Sequence, residues 1–252
     1  MSLDDDINRV AAELEHYAKK LDHEATKYWE LHNERFKYIT RLTGELIEKM
    51  TLSGCSVERI LDVGNSFQTL MINRVRPDIQ MDTMGFWDER YSPDGTTKHH
   101  NFDLNDAYYP ERWLVTEEQN KYDIILFLEV IEHLYTAPEQ VLSFLGSFLK
   151  PHGFIVIQTP NAAALISRAR LLFGRNPYDP IRTNRTNPGH FREYTKLEMA
   201  NHAHQSGFIV HDLIMMDYFQ QTTMAEKFCL TFAKLLPATF RTGMTVILRK
   251  MA

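Results

Sequence analysis

The amino-acid sequence predicts an α/β fold built on a doubly wound, seven-stranded sheet that is mostly parallel, has one antiparallel strand and follows an N-terminal helical annex. Three observations predict this fold. Apolar runs of strand length recur after residue 57, amphipathic segments separate several of them, and the first 53 residues have helical periodicity instead. We therefore expect a helical annex at 1–53 and an α/β domain at 54–252.

The annex is predicted from its spacing and from its lack of helix breakers. Residues 4–53 contain no proline, and their first glycine is Gly44. Apolar side chains recur three and four residues apart, which is typical of amphipathic helices. The two series are Ile7, Val10, Leu14, Tyr17 and Leu21, and then Phe36, Ile39, Leu42, Leu46 and Ile47.

Seven short apolar runs predict the strands, and each ends near a polar residue or a turn. Helical patterns at 137–149 and 195–206 separate some of these runs. Between the last two runs there is no long helical crossover pattern, so we expect these strands to form an antiparallel end to the sheet. In order, the runs are RILDVG, IQMDTM, HHNFDL, YDIILFLEV, GFIVIQTP, GFIVHDLIMM and GMTVILRK.

Composition and charge exclude several classes of protein. The formal net charge of −5 argues against bulk nucleic-acid binding, and two distant cysteines argue against a disulfide framework. No apolar run reaches the roughly 20 residues of a membrane span. The start of the chain, MSLDDDINRV, is acidic and unlike a signal peptide, so a cytoplasmic location is expected. The oligomeric state is left open.

Polar residues at the ends of the first three predicted strands indicate a ligand site. Ligands of open parallel sheets bind beyond the carboxyl ends of the strands. Asp62 and Gly64 end the first strand, Asp82 is expected to end the second, and Asp103 with Leu104 follows the third. Gly64 lets the backbone approach a ligand closely.

The order of these motifs resembles that of the class I, Rossmann-like S-adenosylmethionine-dependent methyltransferases. The similarity covers about residues 30–250 and rests on ILDVG, the acids of the next two strands, YDIILFLEVIEHL, LKPHGFIVIQTPN and GHFREYTKLEMANHAHQSGFIV. The resemblance implies a methyl-transferring enzyme that binds S-adenosylmethionine. It also implies that Asp82 binds the ribose, that Asp103 faces the adenine and that Glu129 lies near the cofactor.

The turn after the first strand departs from the usual pattern, because Asn65, Ser66 and Phe67 follow Gly64 where further glycines are common. A dinucleotide needs bare backbone for its pyrophosphate, whereas S-adenosylmethionine carries no phosphate. Asn65 and Ser66 can hydrogen-bond its amino-acid end. Phe67 either walls the pocket or narrows it. A non-catalytic or regulatory protein with a degenerate turn is the alternative.

The stretch LEVIEHL, together with a later histidine, is the candidate catalytic cluster. If a helix starts there, Glu129, Glu132 and His133 project to one side, and His190 can join them. We favour His133 or His190 as a metal-free general base. The alternative is a divalent metal site of Glu129, Glu132, His133 and His190, as in the ubiquinone-type O-methyltransferases.

An arginine-rich insert at 162–192 is the candidate substrate lid. It carries six arginines and one acid in an acidic chain, and guanidinium groups suit phosphate or carboxylate. Arg182 and Arg185 are therefore candidate contacts to a small acceptor that carries negative charge. We expect an O- or N-methyl transfer, and we favour O-methylation of a sugar, glycan or other small molecule. The insert's apolar residues, and the stretch 224–240, are compatible with docking of a lipid-linked acceptor or with peripheral membrane contact. They are equally compatible with ordinary packing or a dimer contact.

Overall fold

The computed structural model describes residues 2–92, 98–113, 119–178, 180–184, 188–218 and 235–251. Two compact units are present. The first comprises the described residues of 1–102 and 122–124 with Tyr218, and the second comprises those of 103–121 and 125–217 and the chain from 235. Within the described ranges, no helix is both long enough and apolar enough to cross a membrane.

Two long helices form the predicted annex, α1 (Leu3–Leu21) and α2 (His23–Leu52). The Ser2 hydroxyl accepts from the Asp5 amide at 3.2 Å, and the Ser2 amide donates to the Asp5 carboxylate at 3.0 Å. This capping box satisfies two amides that the first turn leaves unpaired. Asp22 lies between the two helices, as the C-cap of α1 and the N-cap of α2. Its carboxylate accepts from the Ala25 amide, which stabilises the start of α2.

All seven predicted strands are present in one sheet, in the order β3-β2-β1-β4-β5-β7-β6. Strands β1, β2 and β3 are parallel, whereas β7 is antiparallel to both β5 and β6. The predicted fold class is therefore confirmed. The bounds are β1 Arg59–Val63, β2 Gln80–Gly85, β3 His99–Asn101, β4 Tyr122–Leu128, β5 Leu149–Pro160, β6 Phe208–Met216 and β7 Gly243–Lys250.

In the part of the chain that the structure describes, four shorter helices follow the annex: α3 Phe67–Val75, α4 Pro138–Phe148, α5 Leu165–Leu172 and α6 Lys196–Gln205. Helix α4 fits its apolar pattern, since Val141, Leu142 and Leu145 are fully buried. Helix α6 begins with a capping box between Thr195 and Glu198.

Phe67, the first residue of α3, lies fully buried at the centre of an aromatic cluster in the first unit. Its ring lies 5.3 Å from Trp29 and 4.9 Å from Tyr91 in edge-to-face geometry, with Tyr28 and Phe36 within 6.3 Å. Such pairs contribute beyond the area they bury. Phe67 is thus a packing residue that anchors α3 to α2, and this explains why a bulky side chain stands in the turn.

Truncating Phe67 should therefore destabilise the protein. We expect Phe67→Ala to lower the free energy of unfolding by about 3–5 kcal/mol, because the substitution leaves a cavity among rings that cannot collapse easily. Denaturant unfolding followed by circular dichroism measures the change. Phe86→Ala is the matched control, since the Phe86 side chain is 73% exposed, and it should alter stability little. Equal effects of the two variants would contradict the packing role.

Candidate active site

The carboxyl end of β1 forms a turn that presents bare backbone. Gly64 is exposed and has a φ of 86°, a backbone conformation that residues with a side chain rarely adopt. Its amide donates to the Met84 carbonyl at 2.8 Å. The Asn65 side-chain amide donates to the Asp88 carbonyl at 2.8 Å. Ser66 is the N-cap of α3, and its hydroxyl accepts from the Gln68 amide.

A short hydrogen-bond chain connects this turn to the predicted acid of β1. The Thr69 hydroxyl accepts from the Ser66 amide at 2.9 Å and donates to the Asp62 carboxylate at 2.5 Å. Asp62 is only 1% exposed. Burial raises its pKa to about 7. The hydrogen bond from Thr69 and the positive charge of Arg35 act in the opposite direction and limit the increase.

Asp82 does not end β2, which corrects the expected placement. It is the third of six strand residues and is fully buried. Its carboxylate accepts from the Arg59 guanidinium at 2.5 Å, from the Tyr122 hydroxyl at 3.0 Å and from the Lys98 amide at 3.0 Å. These partners hold the buried Asp82 carboxylate inside the strand, and its contact with the ribose remains a prediction.

The strand runs on to Gly85, which has a φ of 121°, and then to the side chains of Phe86 and Trp87. An ideal Cβ on Gly85 would lie 3.7 Å from the Gly64 amide nitrogen, so the two turns approach closely. Asp88 is the next acid, and its carboxylate binds the Arg90 guanidinium at 2.7 Å. The end of β2 therefore carries aromatic side chains where the sequence predicted a carboxylate.

In the second unit, Asp103 and Leu104 begin a short 3₁₀ turn, Leu104–Tyr108. The half-buried Asp103 carboxylate accepts from the Asn105 amide at 2.9 Å and from its side chain at 3.1 Å. Leu104 is buried. Asp103 thus caps this turn, and its contact with adenine remains a prediction.

Glu129 directly follows β4 and adopts a left-handed conformation with a φ of 54°. Its amide donates to the Gln158 carbonyl at 2.8 Å, which holds the strained residue against β5. The expected helix is only one 3₁₀ turn, Ile131–His133, and α4 begins later, at Pro138. The condition that a helix starts at Glu129 is therefore not met.

Glu132 is fully buried. Its Oε2 accepts from the Thr159 hydroxyl at 3.1 Å, while among the described residues its Oε1 has no hydrogen-bond partner. Burial raises its pKa well above the ordinary value, and the neighbouring Glu129 carboxylate raises it further. An acid in this environment favours a bound proton or a bound cation.

The segment that carries His190 is fastened to Glu132. The Glu132 carbonyl accepts from the amides of Phe191 at 2.8 Å and Arg192 at 3.3 Å. The rings of His133 and His190 lie 4.8 Å apart in edge-to-face geometry. The structure therefore brings together residues that lie 57 positions apart in the chain, from 133 to 190.

Hydrogen bonds select one tautomer for each imidazole. His133 Nδ1 lies 2.9 Å from the Gly189 carbonyl, which can only accept, so Nδ1 carries the proton. His190 Nδ1 lies 3.0 Å from the Glu193 carboxylate, which orients it in the same way. In the neutral rings Nε2 is unprotonated. Burial lowers the pKa of His133, which favours its neutral form.

One ligand atom each from Glu132, His133 and His190 can be chosen so that all lie within 4.8 Å of one another. A group of this kind can accept a proton or hold a divalent ion. A cavity of about 530 Å³ lies beside it, a size that suits a small molecule. Its lining is Ala162, Asn176, Tyr178, Ile181, His190, Phe191, Arg192, Glu193, Thr195 and Glu198.

The arginines of the insert do not all converge on this cluster. Arg182 lies beside Gly189, and its charge lowers the pKa of His133. Arg192 lines the cavity and pairs with Glu198 at 2.6 Å. Arg168 instead stacks on Phe240, and Arg170 donates to the Pro177 carbonyl at 2.9 Å. Arg185 lies outside the described residues.

Sequence reasoning missed several residues that support the site. Thr69 and Thr159 each donate to a buried carboxylate, and Glu193 orients His190. Glu193 follows His190 by three residues in GHFRE, a spacing that can signal such a pair, whereas the threonines carry no local signal. Arg35 of α2 was also missed, although it acts electrostatically on Asp62.

Fold and site together define a Rossmann-like methyltransferase. The chain belongs to the methyltransferase domain family, whose model matches residues 35–213, more than half of the chain. The family confirms three predictions: the class I superfamily, a methyl-transferring enzyme, and S-adenosylmethionine as its cofactor.

Solved structures show the same fold at low sequence identity. An S-adenosylmethionine-dependent methyltransferase of Archaeoglobus fulgidus is 16% identical and has a TM-score of 0.51, with 84% of this chain and 94% of that chain covered. The [4+2]-cyclase SpnF is 15% identical, also with a TM-score of 0.51, over 84% of this chain and 82% of that chain. Because one neighbour is named for a cyclisation, the fold alone does not specify the reaction. Curated protein sequences contain no match to this chain.

The raised pKa of Asp62 predicts a pH-dependent stability. The group ionises near 3.8 when unfolded and near 7 when folded, so its favourable contribution is complete below 3.8 and is lost as pH rises through 7. We expect the stability of Asp62→Asn relative to wild type to rise by up to about 4 kcal/mol from pH 4 to pH 8.

Urea unfolding at a series of pH values measures this difference. Asp78→Asn is the control, and its stability relative to wild type should change in the opposite direction. The Arg76 guanidinium lowers the pKa of the exposed Asp78, so the stability of wild type relative to Asp78→Asn should rise with pH. A pH-independent difference for Asp62→Asn would contradict the assignment.

Proposed function

We propose that this enzyme transfers a methyl group to a hydroxyl oxygen of a small polar acceptor, with a sugar or glycan hydroxyl as the favoured class. One observation carries the proposal. His190, whose Nδ1 is held by the Glu193 carboxylate so that Nε2 is left for a substrate, lines a small-molecule cavity and lies against His133. An imidazole in this state can take the acceptor's proton as the oxygen attacks.

The carboxyl end of β1 is the proposed seat of the cofactor's amino-acid end. When bound, S-adenosylmethionine would supply the methyl group of its sulfonium, and the sulfur would be the leaving group of an in-line displacement. The residues fit a small zwitterion. Gly64 offers bare backbone, Ser66 lies at a helix N-terminus, and the Asn65 amide retains its carbonyl oxygen as an acceptor. Asp103, Leu104 and Glu129 stay proposals for contacts elsewhere on the cofactor.

His190 is the proposed base that contacts the acceptor, and His133 positions it. His190 lines the cavity, whereas His133 is held by the Gly189 carbonyl and packs on the His190 ring. The protein's main contribution is then alignment of the oxygen with the methyl group and exclusion of water.

The cavity lining supports a hydroxyl-rich acceptor. Tyr178, Asn176 and Glu193 offer both donors and acceptors, and the Arg192 charge is already balanced by Glu198. We propose Arg182, next to Gly189, as the contact for an acceptor that also carries phosphate or carboxylate. The same role for Arg185 rests on the sequence alone.

A metal-assisted form of the same reaction is the second candidate, and one observation favours it. The buried Oε1 of Glu132 has no hydrogen-bond partner among the described residues, and a divalent ion would bind there with His133 and His190. When bound, such an ion would lower the pKa of the acceptor hydroxyl. A bound proton on Glu132 explains the same feature more simply, so we retain the metal-free base.

Replacing His190 should reduce turnover and leave cofactor binding intact. We expect His190→Ala to lower kcat by about 10²–10⁴, since the acceptor loses its base. Transfer of labelled methyl from S-adenosylmethionine to a panel of sugars and small hydroxyl compounds measures turnover, and calorimetry measures cofactor binding. His204→Ala, on the exposed side of α6, is the control. Unchanged turnover in His190→Ala would remove the assigned base.

Metal dependence separates the two candidates. We expect turnover to survive dialysis against EDTA, and titration with MnCl₂ to give no stoichiometric binding by calorimetry. One Mn²⁺ per chain, bound by wild type and His204→Ala but by neither Glu132→Gln nor His190→Ala, together with activity lost on chelation, would establish the metal-assisted form instead.

A further inference from the structure

The end of helix α5 carries three consecutive large apolar residues that face solvent. Leu171, Leu172 and Phe173 are 60%, 82% and 78% exposed. Ile181, further along the insert, is exposed as well. Single exposed apolar side chains are ordinary, but a contiguous group of this size marks an interaction surface. These side chains do not pack as core of the second unit, so ordinary packing does not explain them.

The same stretch is basic. Arg168, Arg170 and Arg175 surround the apolar residues, and α5 contains no acid. The Arg168 side chain donates to the Ala163 carbonyl at 2.7 Å, and Arg170 donates to the Pro177 carbonyl. Within the described part of the chain, none of these three arginines forms an ion pair with a carboxylate. The stretch thus concentrates positive charge in a chain whose net charge is −5.

We propose that this surface, residues 168–175, docks onto an anionic lipid membrane. A short amphipathic element with arginines around exposed leucine and phenylalanine side chains binds interfaces by inserting the apolar side chains and contacting lipid phosphates. A second copy of this chain fits less well, since a two-fold contact through the patch would set arginines against arginines.

The position of the surface gives the docking a consequence. Asn176, Tyr178 and Ile181 follow it directly in the chain and line the cavity beside His190. An amphipathic acceptor held in the membrane would then present its polar end to that cavity. This consequence rests on the proposed function, whereas the docking itself does not.

Co-sedimentation with 100-nm vesicles tests the docking without any measurement of activity. We expect the protein to bind vesicles of phosphatidylcholine with 30% phosphatidylglycerol in 50 mM NaCl, and to bind at least about tenfold more weakly to phosphatidylcholine alone or in 500 mM NaCl. Leu172→Glu combined with Phe173→Glu should abolish binding. Neutralising Arg170 and Arg175 with Gln should weaken it about fivefold per arginine.

Leu52→Glu is the matched control, because Leu52 is 88% exposed at the end of α2 and lies outside the patch. It should bind vesicles like wild type, and circular dichroism should report the same fold for every variant. Failure of wild type to bind anionic vesicles at low salt would overturn the proposal. Equal binding by the Leu172/Phe173 variant would also overturn it, as would a dimer in sedimentation velocity that this variant disrupts.

Discussion

The placement of Glu132 is the constraint on which the rest of the candidate site depends. Its buried carboxyl accepts from Thr159 of β5, and its backbone carbonyl accepts from both amides of residues 191–192. One residue therefore joins the end of β4, strand β5 and the end of the insert. His133 follows it directly, and His190 precedes the anchored amides. Fixing Glu132 thus positions both imidazoles, with little reliance on the loops between them.

In the first unit, the turn at the end of β1 is stabilised by side chains of helix α3. A turn with one glycine needs other support, and the chain supplies it through the hydrogen bonds of Thr69 and the packing of Phe67. Both side chains belong to the first turn of α3. The Phe67 ring is buried, so the exposed face of the turn keeps only Gly64 and the half-buried Asn65 and Ser66. The bulky Phe67 side chain in this turn therefore reflects packing against the annex.

Net charge conceals how the ionisable groups are distributed. Asp62 and Glu132 are buried acids whose pKa values are raised by desolvation, a cost that proteins tend to accept at functional sites. The insert has the opposite character, with arginines on an exposed, partly apolar surface. An acidic protein can in this way hold acids of raised pKa in its interior and still present a local basic face.

The sequence by itself determined the order and type of the elements, because strand and helix periodicities are local properties. It also determined the turn at Gly64 and the grouping of Glu132 with His133. Only the tertiary structure decided that Asp82 lies inside β2, since a strand's end depends on the partners that pair with it. The burial of Phe67 was likewise decided by the tertiary structure, because residues of α2, more than 30 positions away in the chain, cover its ring. Burial and pairing are set by residues distant in sequence, and no local pattern records them.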